Sequence, residues 1–323
     1  MPPTAVQAHA TVDHAAERAQ FRSGLWYGLG AYLWWGLVAG YFKLVSHVPA
    51  FAVVGHRVVW SLVLLIALIT AGKQWPEVRR ILRTPSIWPW LGVSTLCIAT
   101  NWLLFIYAIA NKRLVEASLG YFINPLVTVL LGLVFLREKM RPLQWAANAI
   151  AAGALIFLSL SRGGIPWIAM VLPVTFGFYG LIRKKAPVGP LTGMFVETLL
   201  LTPPALAVLW WAHARPAAPY NTPGTWALLL LAGVITTLPM LWYVAAAKRL
   251  PLSTLGFLQF ITPTMQFLIA VLAFGEVFDR DRAIAFSLIW AAMGLFLFDL
   301  AKKARSARTP VVEAADMRQA EPV

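Results

Sequence analysis

Residues 112–125 read KRLVEASLGYFINP, and residues 248–263 read KRLPLSTLGFLQFITP. The two segments share Lys-Arg-Leu at an offset of 136 positions and a closing proline, Pro125 and Pro263, at an offset of 138. Weaker matches extend the likeness on both sides: Lys43 with Lys184, and Glu138 with Glu276. The chain therefore carries an internal duplication, and the fold of one half predicts the fold of the other.

The composition indicates a membrane protein. Hydrophobic residues make up 59% of the 323 residues and charged residues only 12%, which is too little polar surface for a soluble fold. The apolar runs are continuous rather than alternating, which favours helices over a barrel. Runs long enough to span a bilayer as helices lie near 24–45, 51–72, 88–110, 115–136, 142–161, 163–183, 190–213, 224–247, 252–274 and 281–301.

Ten runs and one duplication predict an all-α integral membrane protein built from two inverted five-helix repeats, residues 24–161 and 162–302. Because five is odd, the second copy enters the membrane from the opposite side, as in transporters that alternate between two faces. A duplication that only builds a helix bundle, without transport, is the alternative. Residues 1–23 and 303–323 are predicted to be polar cytoplasmic tails.

The net charge of +14 does not indicate nucleic-acid binding, because the basic residues are distributed by side. With the N-terminus inside, 19 Lys and Arg lie in inner segments and 7 in outer ones, which places both termini in the cytoplasm. Cys97 is the only cysteine, and the five histidines form no ligand spacing, so no metal site is predicted. No phosphate loop or nucleophile elbow is present, which argues against an enzyme and against a bound cofactor.

Two charged residues lie well inside predicted spans. Arg57 and Glu197 occupy matching positions in the two halves, at an offset of 140. A buried charge is costly in lipid, so each is expected to face a polar interior. Either the two act separately in one cavity, where they would suit a zwitterionic solute, or they form a structural ion pair. Their backbones should differ by roughly 10 Å in height, which favours separate roles.

Further polar and aromatic side chains are candidates for substrate binding or coupling. Trp60 shares a helix face with Arg57 and would cover its guanidinium or stack on a substrate. His56 would relay protons or bond a neighbouring helix, and Lys43 would contact the ligand or anchor its helix at the headgroups. The remaining candidates are Asn101, Asn124 and Gln259.

The duplicated segments also predict two hinges. Pro125 lacks an N–H group and crowds the carbonyl four residues earlier, so its helix should bend about one turn before it. Gly120 permits close packing there, and Gly256 and Pro263 predict a matching bend in the ninth span.

At YFK, GHRVVWS, NWLLFIYA, EASLGYFINPL, GLIRKK and STLGFLQFITPT the sequence resembles the RarD-type proteins of the EamA branch of the drug/metabolite transporter superfamily, over residues 22–302. The resemblance implies a bacterial inner-membrane permease with a central cavity, which exports small organic solutes such as metabolites or amphipathic drugs by alternating access. An ion-independent uniporter and a non-transporting sensor or assembly protein are the alternatives.

The implied partners are a small-molecule substrate and the lipid bilayer; the oligomeric state, a homodimer included, stays open. Related small multidrug pumps couple transport through a glutamate in their first helix. This chain has none there, which leaves Glu197 as the nearest substitute.

Overall fold

A computed structural model describes residues 5–111, 113–161, 166–213, 222–274 and 280–306, and within them the regular structure is entirely helical. The helices are α1 (Ala5–Leu44), α2 (Ala50–Ala71), α3 (Trp75–Leu82), α4 (Trp88–Ala110), α5 (Leu114–Leu136), α6 (Pro142–Ser161), α7 (Trp167–Lys185), α8 (Pro190–His213), α9 (Pro223–Arg249), α10 (Leu252–Gln259), α11 (Ile261–Phe274) and α12 (Arg280–Ser306), with a short 3-10 turn at Pro85–Ile87.

Eight segments of the described chain are long and apolar enough to cross a membrane. They lie in α2, α4, α5, α6, α8, α9, the α10–α11 pair and α12. The first and sixth predicted spans correspond to α1 and α7, which are not among the eight. The span within α1 is rich in Gly, Trp and Tyr, whose hydropathy is low, and α7 ends in three basic residues, Arg183, Lys184 and Lys185. The chain is thus a multi-pass membrane protein.

The helices differ from those predicted from the sequence in three places. Helix α1 begins at Ala5, so most of the predicted N-terminal tail is helical, because AVQAHATVDHAAERAQ is rich in good helix formers. The ninth span is two helices separated at Phe260. The short amphipathic α3 was not predicted. Lys112, Glu276 and the C-terminal tail from residue 307 lie outside the described residues.

The helices fall into two compact units. One contains α1–α5 and α7–α11, and the other contains α6 and α12. Within the larger unit α1 packs on α9 and α11, α2 on α8 and α9, α4 on α7 and α8, and α5 on α7 and α10. In the smaller unit α6 packs on α12, where Arg141 pairs with the buried Asp299 at 2.6 Å.

Helices α2 and α9 approach each other through a glycine. A Cβ atom built on Gly233 would lie 2.5 Å from the carbonyl carbon of Trp60 and 2.6 Å from its carbonyl oxygen. The hydroxyl of Ser61 donates a hydrogen bond to the Gly233 carbonyl at 3.4 Å. The absence of a side chain at Gly233 therefore sets the distance between the middle of α2 and the middle of α9.

Two charged side chains complete the ends of helices. Glu138 accepts hydrogen bonds from the backbone N–H groups of Leu252 at 2.6 Å and Ser253 at 2.9 Å, and so caps the N-terminus of α10. Lys184 caps a helix C-terminus: it donates hydrogen bonds to carbonyls at the end of α9, those of Ala247 at 2.8 Å and Leu250 at 2.6 Å. Glu138 thus fixes where α10 begins, and Lys184 fixes where α9 ends.

Candidate functional site

Arg57 lies in α2 among side chains from four other helices. Its Nε donates a hydrogen bond to the hydroxyl of Thr236 on α9 at 2.9 Å. Its guanidinium carbon lies 5.0 Å from the centre of the Trp102 ring on α4 and 5.6 Å from that of Phe42 on α1. Tyr121 on α5 lies within electrostatic range. Arg57 therefore lies where five helices of the larger unit converge.

The guanidinium has no acidic partner within the described part of the chain. Thr236 bonds only to Nε. The two terminal nitrogens of Arg57 make no hydrogen bond to the described residues, and they are not buried. Arg57 is half-buried, so these terminal groups remain accessible. Aromatic faces attract the cation, but they do not neutralise its charge.

Glu197 has different partners from Arg57. The carboxylate is buried in α8 and lies 3.5 Å from Nε of Arg183, whose side chain is fully buried at the end of α7. Ser94 on α4 and Tyr179 on α7 donate hydrogen bonds to it, the latter at 3.4 Å. The ion pair of Glu197 is thus with Arg183, and the direct pair with Arg57 that the sequence left as an alternative is not formed.

Arg183 is the residue that sequence reasoning missed. Its position at the start of the basic run 183–185 predicts a charge in an inner loop. In the structure its Nη2 instead donates hydrogen bonds to the carbonyls of Gly189 at 3.2 Å and Pro190 at 3.1 Å, at the start of α8. Gly193 makes room for it, since a Cβ there would lie 2.1 Å from Nη1 of Arg183. The signal in the sequence was Glu197 itself, because a buried carboxylate requires a nearby cation.

The neighbours of Arg57 on α2 have separate environments. His56 is buried, and its ring lies 5.3 Å from that of Trp226 on α9 in an edge-to-face arrangement. Trp60 packs its backbone against Gly233, and its indole Nε1 is buried without a hydrogen-bond partner in the described structure. The rings that cover Arg57 are those of Phe42 and Trp102, and Trp60 is not one of them.

The three amide candidates are buried at helix contacts. Asn101 on α4 donates to the carbonyl of Leu172 at 2.8 Å and to the hydroxyl of Thr175 at 3.1 Å, both on α7. Gln259 accepts a hydrogen bond from Thr128 at 3.3 Å across the contact between α5 and α10. Asn124, one turn before Thr128, keeps its side-chain oxygen buried without a partner in the described residues.

Gly256 and Pro125, one from each duplicated segment, meet at one helix contact. A Cβ on Gly256 would lie 2.7 Å from the carbonyl oxygen of Pro125, so α10 crosses α5 at the proline. Gly120 instead faces Ala169 on α7, with 3.3 Å to its Cα. Helix α5 runs on through Pro125, whereas the chain is interrupted at Phe260, just less than one turn before Pro263.

Lys43 is exposed, one residue before α1 ends at Leu44. Its counterpart Lys184 instead caps the end of α9. A compact aromatic cluster joins α1, α7 and α9. In it the rings of Phe176 and Tyr243 are 4.9 Å apart, and those of Tyr179 and Tyr243 stack at 6.2 Å. No group of three or more His, Cys, Asp or Glu that would hold a metal occurs in the described ranges.

Comparisons with known proteins agree with this architecture. A model of the EamA-like transporter family matches the chain twice, over residues 22–160 and 163–298. "Protein RarD" of Salmonella typhimurium is 45% identical over 87% of this chain and 96% of its own length. An "Uncharacterized transporter" of Vibrio cholerae is 45% identical over 89% of this chain and 96% of its own. A crystal structure 20% identical in sequence shares the fold, with a TM-score of 0.68 over 88% of this chain and 99% of that one.

Proposed function

Because the chain belongs to the EamA-like transporter family and is a multi-pass membrane transporter, we propose that it moves small organic solutes by alternating access around the site at Arg57. The observation that carries the proposal is the position of Arg57. A permanent charge in the middle of an apolar helix is costly, and such charges mark functional sites in membrane proteins. The Nε of Arg57 is hydrogen-bonded to Thr236 on α9, while its terminal nitrogens stay accessible.

The proposal includes ten spans arranged as two inverted repeats. Two observations support it. The family model matches each half separately. The helix contacts of the larger unit also occur in exchanged pairs: α1 with α9 and α7 with α4, α2 with α9 and α8 with α4, α5 with α7 and α11 with α1. Such pairs are expected when two related halves are interlocked, and two interlocked halves provide two conformations of similar energy.

The proposed setting is the cytoplasmic membrane of a bacterium, with both termini inside and with transport directed outward. The excess of Lys and Arg on one side of the spans supports the orientation. Bacterial relatives with transporter names support the membrane. Arg183 is buried rather than in a loop, but leaving it out of the Lys and Arg count still gives an excess on the inner side.

Solute uptake into proteoliposomes containing the full-length protein tests the function. We expect uptake of some members of a broad panel of labelled small solutes above that of protein-free vesicles. Replacing Gly233 by leucine, which would force α2 from α9, should abolish this uptake, while Gly92→Leu on the exposed face of α4 should not, because a Cβ at Gly92 has no neighbour within 4 Å.

The same vesicles separate the mechanisms. Uptake that follows an imposed pH gradient indicates a coupled secondary transporter, and uptake indifferent to the gradient indicates a uniporter. No uptake of any solute in vesicles whose protein is folded would overturn the proposal and leave a non-transporting membrane protein.

A further inference from the structure

We propose that the solute is a monoanion and that its carboxylate binds the terminal nitrogens of Arg57, with its apolar body against Trp102 and Phe42. The inference rests on the proposed transport function and adds the chemical class of the cargo. It begins from the charge, because a guanidinium stays protonated in proteins and cannot escape desolvation by losing a proton.

Within the described ranges, no acidic side chain neutralises this charge. The described carboxylates close to the spans have other partners: Glu116 pairs with Arg113 at 2.6 Å, Glu197 with Arg183 at 3.5 Å, Asp299 with Arg141 at 2.6 Å, and Glu138 caps α10. None of these carboxylates is available to Arg57, so we infer that an anionic ligand supplies the matching negative charge. The expected zwitterion site loses its anionic half in the same way, because Glu197 is already paired.

The geometry of Arg57 suits a carboxylate. Thr236 holds Nε and therefore fixes the plane of the guanidinium. Both terminal nitrogens remain available, and a carboxylate binds such a pair through two parallel hydrogen bonds. A single arginine balances one negative charge, so a monoanion is matched better than a doubly charged phosphate.

The rings give the second part of the recognition. Trp102 and Phe42 lie 5.0 and 5.6 Å from the guanidinium carbon, on α4 and α1. Both are half-buried. An apolar or planar group attached to the carboxylate would reach them while the carboxylate remains on Arg57. We therefore infer small aromatic or aliphatic carboxylates, and disfavour sugars and cations.

Binding to the purified full-length protein in detergent tests the inference, by isothermal titration at pH 7.5. The probes are three carboxylates, hippurate, phenylacetate and lactate, each beside its uncharged amide, together with phenyl phosphate and phenethylamine. We expect at least one carboxylate to bind about 10-fold or more tightly than its amide, since the amide forfeits a charge-assisted pair. Phenyl phosphate should bind more weakly than hippurate, and phenethylamine should not bind.

Variants locate the preference. Arg57→Gln should bring each carboxylate to the affinity of its amide, and Arg57→Lys should retain a reduced preference because it keeps the charge without the fork. Thr236→Val, which frees the guanidinium plane, should give an intermediate loss. Arg79→Gln, on the exposed α3, removes an equal charge and should change nothing.

Each result decides the inference. Equal binding of carboxylates and amides by the wild-type protein, across all three pairs, overturns it without need of any variant. A preference that survives Arg57→Gln in a folded protein also overturns it. Uptake of uncharged or cationic solutes into proteoliposomes with no carboxylate preference would leave transport standing and refute the anion. Carboxylate binding that depends on Arg57, without uptake of any solute, would support the site and refute transport.

Discussion

Replacing Gly233 by alanine should destabilise the protein and disconnect Arg57 from Thr236. The new Cβ would lie 2.5 Å from the backbone of Trp60, and ordinary contact begins near 3.4 Å, so α2 and α9 must separate by about 0.9 Å. Thr236 is three residues along α9 from Gly233, and Arg57 is three residues along α2 from Trp60. The same displacement would take the bond between Nε and the Thr236 hydroxyl from 2.9 Å to about 3.8 Å, beyond hydrogen-bonding distance.

The free energy should follow the same geometry. Overpacking of this kind costs about 1–3 kcal/mol, and the upper end applies here because the nearest atoms belong to the backbone and cannot rotate away. Gly92→Ala in α4 is the matched control. Its Cβ would meet nothing within 4 Å, so alanine should stabilise the helix by about 0.5–1 kcal/mol.

Thermal unfolding of the purified variants in detergent measures both signs. The midpoint of Gly233→Ala should fall and that of Gly92→Ala should rise or stay level. If Gly233→Ala unfolds at or above the wild-type temperature, the close approach of α2 and α9 is not what fixes the position of Arg57, and the geometric argument for the site fails.

Three further changes test other parts of the structure. Glu138→Gln should destabilise the protein by about 1 kcal/mol, since it weakens the cap on α10, and thermal unfolding would show this; an unchanged midpoint would contradict the cap. Glu197→Gln should cost about 3 kcal/mol because it leaves Arg183 as an uncompensated buried charge, and Arg183→Met in the same chain should restore part of the unfolding midpoint; no recovery would contradict the pair. Pro125→Ala and Pro263→Ala should slow uptake into proteoliposomes without reducing the amount of inserted protein, and unchanged rates would refute the hinges.

Much of the fold could be predicted from the sequence because hydropathy reports directly on burial in lipid. Helices α2, α4, α5 and α6 begin and end within one or two residues of the predicted runs. The break at Phe260 lies within one turn of Pro263, which removes the N–H group that would have bonded the Gln259 carbonyl, whereas α5 continues through Pro125.

The partners of the charged residues could not be predicted in the same way. The buried Glu197 indicates that a cation lies nearby, but it does not indicate that this cation is Arg183, 14 positions earlier and turned inward at the end of α7. Phe42, Trp102 and Thr236 meet Arg57 from three helices, and none of them has a spacing to it that periodicity would detect. Contacts between helices depend on how the helices pack, and hydropathy reports only that each helix exists.

The matching positions of Arg57 and Glu197 have opposite consequences for the movement of the helices. Within the proposed second repeat, Arg183 on α7 and Glu197 on α8 form a buried ion pair, and separating them would expose two charges to an apolar interior. Glu197 also accepts a hydrogen bond from the neutral hydroxyl of Ser94 on α4, in the first repeat. Arg57 bonds the other repeat, through a single neutral hydroxyl on α9. A hydrogen bond between a charged group and a neutral hydroxyl is worth about 1.5–3 kcal/mol, whereas breaking a buried ion pair costs about 3–5 kcal/mol. In the proposed alternating-access mechanism, the movement should therefore meet least resistance when α7 and α8 travel together and α2 slides against α9, which would place Arg57, the proposed solute-binding residue, at the contact that moves.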